Sequence, residues 1–127
     1  MQEPDSKHET SPLHPAILAM LDRARAAGVP ALSAGAPGDA RALMGASRIA
    51  LGAGPEVREA RRIDIPTRGG PLPALLLLPD AEPCGLCLYL HGGGWMIGSA
   101  MDFEALARTL AIRSGCAFLV PDYRLVS

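Results

Sequence analysis

Aromatic residues are scarce in this sequence: two tyrosines, two phenylalanines and one tryptophan among 127 residues. A stacking surface for single-stranded nucleic acid needs more of them. An excess of one charge is also missing, since 12 basic and 13 acidic side chains leave a net charge of -1. That balance excludes strong electrostatic capture of nucleic acid or anionic membranes. No stretch approaches the roughly 20 apolar residues of a membrane span. The polar start, Met1 to Thr10, lacks the apolar core of a signal peptide, so the default expectation is a cytoplasmic protein. Cysteine is limited to Cys84, Cys87 and Cys116, an odd number that suggests free thiols. Cys84 and Cys87 have CxxC spacing, but no second pair follows, and a zinc site needs about four ligands. They read as small residues at the start of a buried strand, and no metal or cofactor is expected. Finally, Gly-x-Ser-x-Gly, the elbow that carries a nucleophilic serine in many hydrolases, is absent.

What remains is the material of one globular domain. Residues 1–10 read as a disordered leader, and residues 11–55 as a helical segment. Ser11-Pro12 offers an N-cap with proline in the first turn. Ile17, Leu18, Leu21 and Ala24 share one face of the helix that follows, which Gly28 and Pro30 end. A second helix is expected from Pro37 to Leu51, with Leu43, Met44 and Leu51 on its apolar side. From residue 56 the pattern changes to strands. Val57–Pro66 and Leu72–Leu78 flank a turn at Thr67–Pro71 and make a hairpin. Leu86–Leu90 and Cys116–Val120 are continuous apolar runs, the mark of buried parallel strands. Between them, Met101–Arg113 reads as a helix with Leu106, Ala107, Leu110 and Ala111 inward. Strand, crossover helix and strand form a parallel βαβ unit.

The most informative run is His91-Gly92-Gly93-Gly94-Trp95, directly after the first of these strands. Three glycines let the backbone turn sharply and admit a substrate oxygen close to bare N–H groups. Donors so placed stabilise charge developing on a carbonyl oxygen, often the largest contribution in acyl transfer. A phosphate-binding P-loop is the competing reading, but it needs Gly-Lys-Ser/Thr where this chain has Trp95-Met96-Ile97.

The run from His91 to Ser99, with Arg108, Leu110-Ala111, Ser114-Gly115 and Asp122-Tyr123-Arg124-Leu125, resembles the hormone-sensitive-lipase-like branch of the α/β-hydrolases. The resemblance covers about Leu13 to Leu125. It implies an α/β fold: the first four strands of an α/β-hydrolase sheet, in the order 1-2-4-3, with the two N-terminal helices as a cap segment. Residues 56–127 would then be the N-terminal part of the hydrolase core. It further implies hydrolysis of short-chain carboxylic esters through a serine acyl-enzyme. Gly93 and Gly94 would donate to the oxyanion, Gly92 would supply the bend, and His91 would fix the loop. Trp95 would either line the acyl pocket or pack the core. The sequence departs from the branch at Leu75–Leu78, where a basic and an aromatic residue are common. It departs again at Phe103-Glu104, where His-Asp is common, and at Val126-Ser127, where the branch continues Ala-Pro-Glu.

Chain order in this fold is serine, acid, histidine, so all three are expected beyond Ser127. The serines present (Ser6, Ser11, Ser33, Ser47, Ser99, Ser114 and Ser127) occupy no elbow. Ser99 reads as a cap or loop hydrogen-bonding group. His8 and His14 lie in or near the leader, and no ordered set of nucleophile, base and orienting acid surrounds His91. Asp102 and Glu104 suit a helix start, where the macrodipole favours negative charge. Asp122 reads as structural, with Arg124 a candidate partner. The expectation is therefore an esterase lineage whose 127 residues alone are inactive, acting on a small-molecule ester in complete form. An open edge along Leu86–Leu90 would invite self-association. The alternative is a non-catalytic small-molecule-binding module on the same fold.

Overall fold

The computed structural model describes residues 13–126. The leader, Ser11-Pro12 and Ser127 lie outside them. The chain divides into two compact units after Ala31.

The first unit contributes helix α1, Pro15–Ala26. Proline at its first position has the fixed φ that a helix start requires. Its N-cap is His14, whose Nδ1 accepts the Ala16 N–H at 3.2 Å. The helix therefore starts three residues beyond the Ser11-Pro12 signal in the sequence. No residue of α1 is fully buried, and Leu21 and Ala24 are the half-buried pair of its apolar face.

The second unit opens with α2, Pro37–Leu51, the span the sequence predicts. The Asp39 carboxylate accepts the Ala36 N–H at 2.9 Å, which satisfies a donor at the helix start. The residue α2 buries is Ala40; Leu43 and Met44 are half-buried, and Leu51 is exposed, contrary to its expected inward position.

Four strands follow: β1 Glu59–Thr67, β2 Gly70–Leu78, β3 Leu86–Leu88 and β4 Ala117–Pro121, with α3 Glu104–Ser114 between the last two. The sheet order is β1-β2-β4-β3, as the resemblance implied. The hairpin is tighter than the glycine- and proline-rich turn suggested. Thr67 pairs with Gly70, and only Arg68 and Gly69 remain as loop. The Thr67 hydroxyl donates to the Gly70 carbonyl at 2.6 Å and closes it. β2 is central, antiparallel to both β1 and β4. That position explains its leucines: Ala74, Leu75 and Leu77 are buried.

β3 and β4 run parallel, with Leu86 opposite Ala117 and Leu88 opposite Leu119, and α3 is their crossover. β4 is buried almost throughout. β3 is not: Leu86, Leu88 and Leu90 are each more than half exposed, and only Cys87 and Tyr89 pack against the core. The expectation of a buried strand holds for one face only, since the exposed leucines alternate with the packed Cys87 and Tyr89, and β3 forms the open edge that the sequence also suggested. Among the described residues β4 is its sole partner.

α3 begins three residues later than expected, since Met101–Phe103 forms a turn. Its Glu104 carboxylate holds Arg108 one turn on at 2.8 Å, and Gly115 ends it in the left-handed conformation, φ 71°. Ala107 and Ala111, four apart, face the sheet with no exposed surface, whereas Leu106 turns to solvent. Small residues here let the helix approach closely. Leu75, Leu77, Phe118 and Val120 complete the core from the sheet side.

Leu77 and Leu86 should therefore respond oppositely to truncation. Leu77→Ala is expected to cost about 2–5 kcal/mol through an unfilled cavity, and Leu86→Ala less than about 0.5 kcal/mol. Urea unfolding midpoints of both variants measure the contrast.

Candidate active site

The glycine loop leaves the C-terminal end of β3, where open α/β sheets gather their ligands. Its first residue, His91, is buried. The imidazole lies between two rings, Tyr123 at 4.3 Å and Phe103 at 5.4 Å between centroids, both nearly parallel to it. Phe103 thus has a defined role at one of the departures from the branch pattern. The Tyr123 hydroxyl donates to the His91 carbonyl. His91 Nδ1 lies 2.9 Å from the Gly92 carbonyl and 3.2 Å from the Tyr123 oxygen. Because both are available acceptors, the ring proton is assigned to Nδ1. Nε2 is buried without a partner among the described residues. This histidine is enclosed and committed to its own loop.

Beyond His91 the chain folds back on one carbonyl. Gly93 C=O accepts the N–H groups of Met96 at 3.0 Å and Ile97 at 3.1 Å. Only glycine fits at position 93, with φ 131°, because a Cβ would lie 2.0 Å from the Ile97 oxygen. Gly98 is equally constrained: a Cβ there would lie 2.7 Å from His91 Nδ1. Trp95 adopts φ 61°, an uncommon conformation for a bulky residue. Its side chain is 71% exposed, which overturns the core-packing reading.

The loop is then fastened from two further elements. Arg41 of α2 donates through Nε to the Met96 carbonyl at 2.7 Å and through a terminal nitrogen to the Val126 carbonyl at 2.6 Å. Val126 N–H donates to the Trp95 carbonyl at 2.8 Å. All of these contacts engage carbonyls: those of His91, Gly92, Gly93, Trp95 and Met96. The N–H groups of Gly92, Gly93 and Gly94 have no acceptor among the described residues. A cavity of about 410 Å³ is bounded by Gly93, Met96 and Ile97 on the loop side. Leu32, Ser33, Pro37 and Ala40 form its other wall. Trp95 is not among the residues lining it, so the pocket-lining reading finds no support at this cavity.

The remaining candidates are structural. Ser99 Oγ donates to Asp102 at 2.8 Å and accepts the Asp102 N–H, closing the turn before α3. Arg48 lies 4.0 Å from the same carboxylate. Ser47 bonds the Met44 carbonyl, and Ser114 accepts the Cys116 N–H. No described serine meets a histidine, and no three His, Cys, Asp or Glu side chains converge among the described residues. Asp122 accepts the Ala100 N–H at 2.6 Å and pairs with Arg62 at 3.3 Å. Its partner is therefore Arg62 of β1 and not Arg124, whose alternating position beyond β4 leaves it exposed. Arg41 could not be found from sequence, because 55 positions separate it from the carbonyl it holds.

With this geometry described, the comparisons with known proteins agree. A family model described as an alpha/beta hydrolase fold matches residues 87–126, which run from β3 through the loop, α3 and β4. An esterase of Gibberella moniliformis is 48% identical over 44 residues, 35% of this chain and 14% of that protein. The hyperthermophilic esterase from the archaeon Pyrobaculum calidifontis matches with a TM-score of 0.79 at 31% identity. That match covers 91% of this chain and 37% of the esterase. An ester-hydrolase from the metagenome of Lake Arreo, complexed with a bipyridine phosphonate derivative, matches with a TM-score of 0.75 at 28% identity. Here 90% of this chain and 38% of the neighbour are covered. The chain thus spans well under half the length of its relatives. Over that span it has the α/β-hydrolase fold and is similar to esterases. The family it resembles is one of esterases.

The clamps make a joint prediction. Tyr123→Phe keeps the ring stack but removes the bond to the His91 carbonyl; Arg41→Ala removes two charge-assisted bonds. Each is expected to lower stability by about 1–3 kcal/mol and to speed amide hydrogen exchange at Met96 and Ile97, whose N–H groups are bonded to Gly93. Unchanged exchange in both variants would show that the loop holds itself.

Proposed function

We propose that Gly93 and Gly94 supply two N–H donors of the oxyanion hole of a serine carboxylesterase acting on short-chain esters. The observation that carries this reading is the loop's asymmetry: the carbonyls of His91, Gly92, Gly93, Trp95 and Met96 are engaged, whereas the N–H groups of Gly92, Gly93 and Gly94 have no acceptor among the described residues. Donors held this way meet a developing alkoxide without reorganising, which is where such sites gain their effect. Gly92 makes the bend and His91 anchors the loop. A third donor would come from the residue after the nucleophile.

On this reading the nucleophile, its acid and its base are not supplied by the described residues, where no serine bonds a histidine. Attack on the ester carbonyl, proton transfer to a histidine and release of the alcohol would require them. The 127-residue polypeptide by itself is therefore expected to show no turnover of p-nitrophenyl butyrate. The Lake Arreo neighbour's phosphonate complex favours an acyl-transfer site in the family, because a tetrahedral phosphonate resembles the intermediate of ester cleavage. Soluble small esters are the expected substrates, and no helix among the described residues is long and apolar enough to cross a membrane. The two N-terminal helices are assigned to a cap segment on the same basis, and a cytoplasmic location remains part of the proposal.

A second reading, small-molecule binding without hydrolysis, is favoured by the cavity of about 410 Å³ beside Gly93. One experiment separates the two. Residues 87–126 are grafted in place of the matching segment of the Pyrobaculum calidifontis esterase. The graft should retain esterase activity. Gly93→Ala in the graft, whose Cβ would displace Ile97, should lower kcat roughly 100-fold or more while the protein stays folded. A folded, inactive graft that still binds butyrate would favour the binding module. Undiminished kcat in folded Gly93→Ala would remove Gly93 from the oxyanion hole.

A further inference from the structure

Outside the candidate site, two cysteines far apart in sequence have been brought together. The sulfurs of Cys84 and Cys116 lie 3.2 Å apart, across 32 positions of chain. The parallel register of β3 and β4 puts them there. Leu86 faces Ala117, the Gly85 carbonyl accepts the Ala117 N–H at 2.8 Å, and Cys84 N–H donates to the Gly115 carbonyl at 2.9 Å. Backbone bonds thus fix both cysteines at the entrances of neighbouring strands. Cys84 is exposed, and Cys116 is half-buried behind it. Cys87, the nearer cysteine in sequence, packs against the core instead. The hydrogen bond with Cys116 is the main cause that raises the Cys84 thiol above its ordinary pKa.

We propose that Cys84 and Cys116 are a modification site: a thiol pair that closes to an intramolecular disulfide when it meets a small-molecule disulfide of the glutathione class. The exposed Cys84 thiolate attacks one sulfur of the oxidant. The oxidant's S–S bond breaks, and the departing thiolate takes up a proton. The Cys116 thiolate then attacks Cys84 Sγ in the mixed disulfide and releases the second thiol. The protein loses two electrons and two protons, and one oxidant disulfide becomes two thiols. The sulfurs need to approach by roughly 1 Å to reach bonding distance.

The crosslink closes a ring that contains β3, the glycine loop and α3. It sits at the entrances of β3 and β4, and the loop leaves by the opposite end of β3. Oxidation would therefore constrain this βαβ unit against unfolding without reaching the glycine amides. The inference does not depend on the proposed esterase function.

The test uses the 127-residue protein, oxidised glutathione, alkylation of residual thiols and peptide mapping. The expected result is a mass loss of two hydrogens, one alkylated cysteine at Cys87, and a linked Cys84–Cys116 peptide. The melting temperature should rise on the order of 10 °C over the reduced protein. In urea, where the strand register is lost, the same treatment should scatter links among the three cysteines. Cys116→Ser should retain glutathione on Cys84. A stable glutathione adduct on Cys84 of the unsubstituted protein would overturn the proposal. So would a Cys84–Cys87 link, or Cys84 and Cys116 both remaining alkylatable in folded protein. The map of the unsubstituted protein decides the matter even where a variant fails to fold.

Discussion

The hydrogen bond from the Tyr123 hydroxyl to the His91 carbonyl is the constraint on which the site depends. It joins the end of β4 to the end of β3, just where the chain must leave the ladder and present bare amides. A loop with free donors is short of internal bonds by construction. Its conformation has to be imposed from outside, and without such bonds backbone entropy of about 1–2 kcal/mol per residue would oppose it. Here the constraint acts only through acceptors. Tyr123, the His91 ring, Val126 and Arg41 each bind a carbonyl, which leaves the glycine N–H groups without a partner among the described residues. Gly92 and Gly94 are exposed, so solvent can reach their donors.

Asp122, one residue earlier, performs a related task for the sheet. Its carboxylate takes the Ala100 N–H on one oxygen and Arg62 on the other. The Arg62 pair is partly exposed, and such pairs contribute about 1 kcal/mol or less. Its value is geometric: β1, the exit of β4 and the segment after the glycine loop meet at one side chain. The Asp-Tyr pair thus uses alternate residues for two attachments. One holds the segment that enters α3, the other the loop that leaves β3.

Much of this fold was legible in the sequence where local rules decide. α2 has proline at its start and glycine at its end, and its span matches the reading. The hairpin, the buried β4 and the strand–helix–strand crossover follow from period and turn chemistry. The strand order came from family resemblance, not from pattern. The errors have one origin, in that tertiary position outranks local pattern. Leu86, Leu88 and Leu90 read as a buried run, but an edge strand has one covered face. Leu106 and Leu51 fit helical spacing, yet alanines at Ala107, Ala111 and Ala40 occupy the contacts because they allow close approach. In the site, the glycines were legible because their absence of side chains is itself the signal. Arg41 and the Cys84–Cys116 contact were not, since each joins residues that only the folded register brings together.

The shortness of β3 bears directly on the proposed chemistry. With three ladder residues and one neighbour, this strand alone defines the loop's origin poorly. Precision has to come from packing around His91, where Phe103 and Tyr123 sandwich the ring and Gly98 allows the backbone to pass against it. Every group that does this lies between Arg41 and Val126. Amides that are to stabilise an alkoxide must be in place before the charge develops, or their reorientation consumes the advantage. The groups that fix the glycine loop therefore all belong to α2, α3's approach, β4 and the residues just after β4. On the proposed esterase reading, a nucleophile brought to the cavity beside Gly93 would meet donors already fixed, and its own elbow would contribute only the attacking oxygen and one further amide.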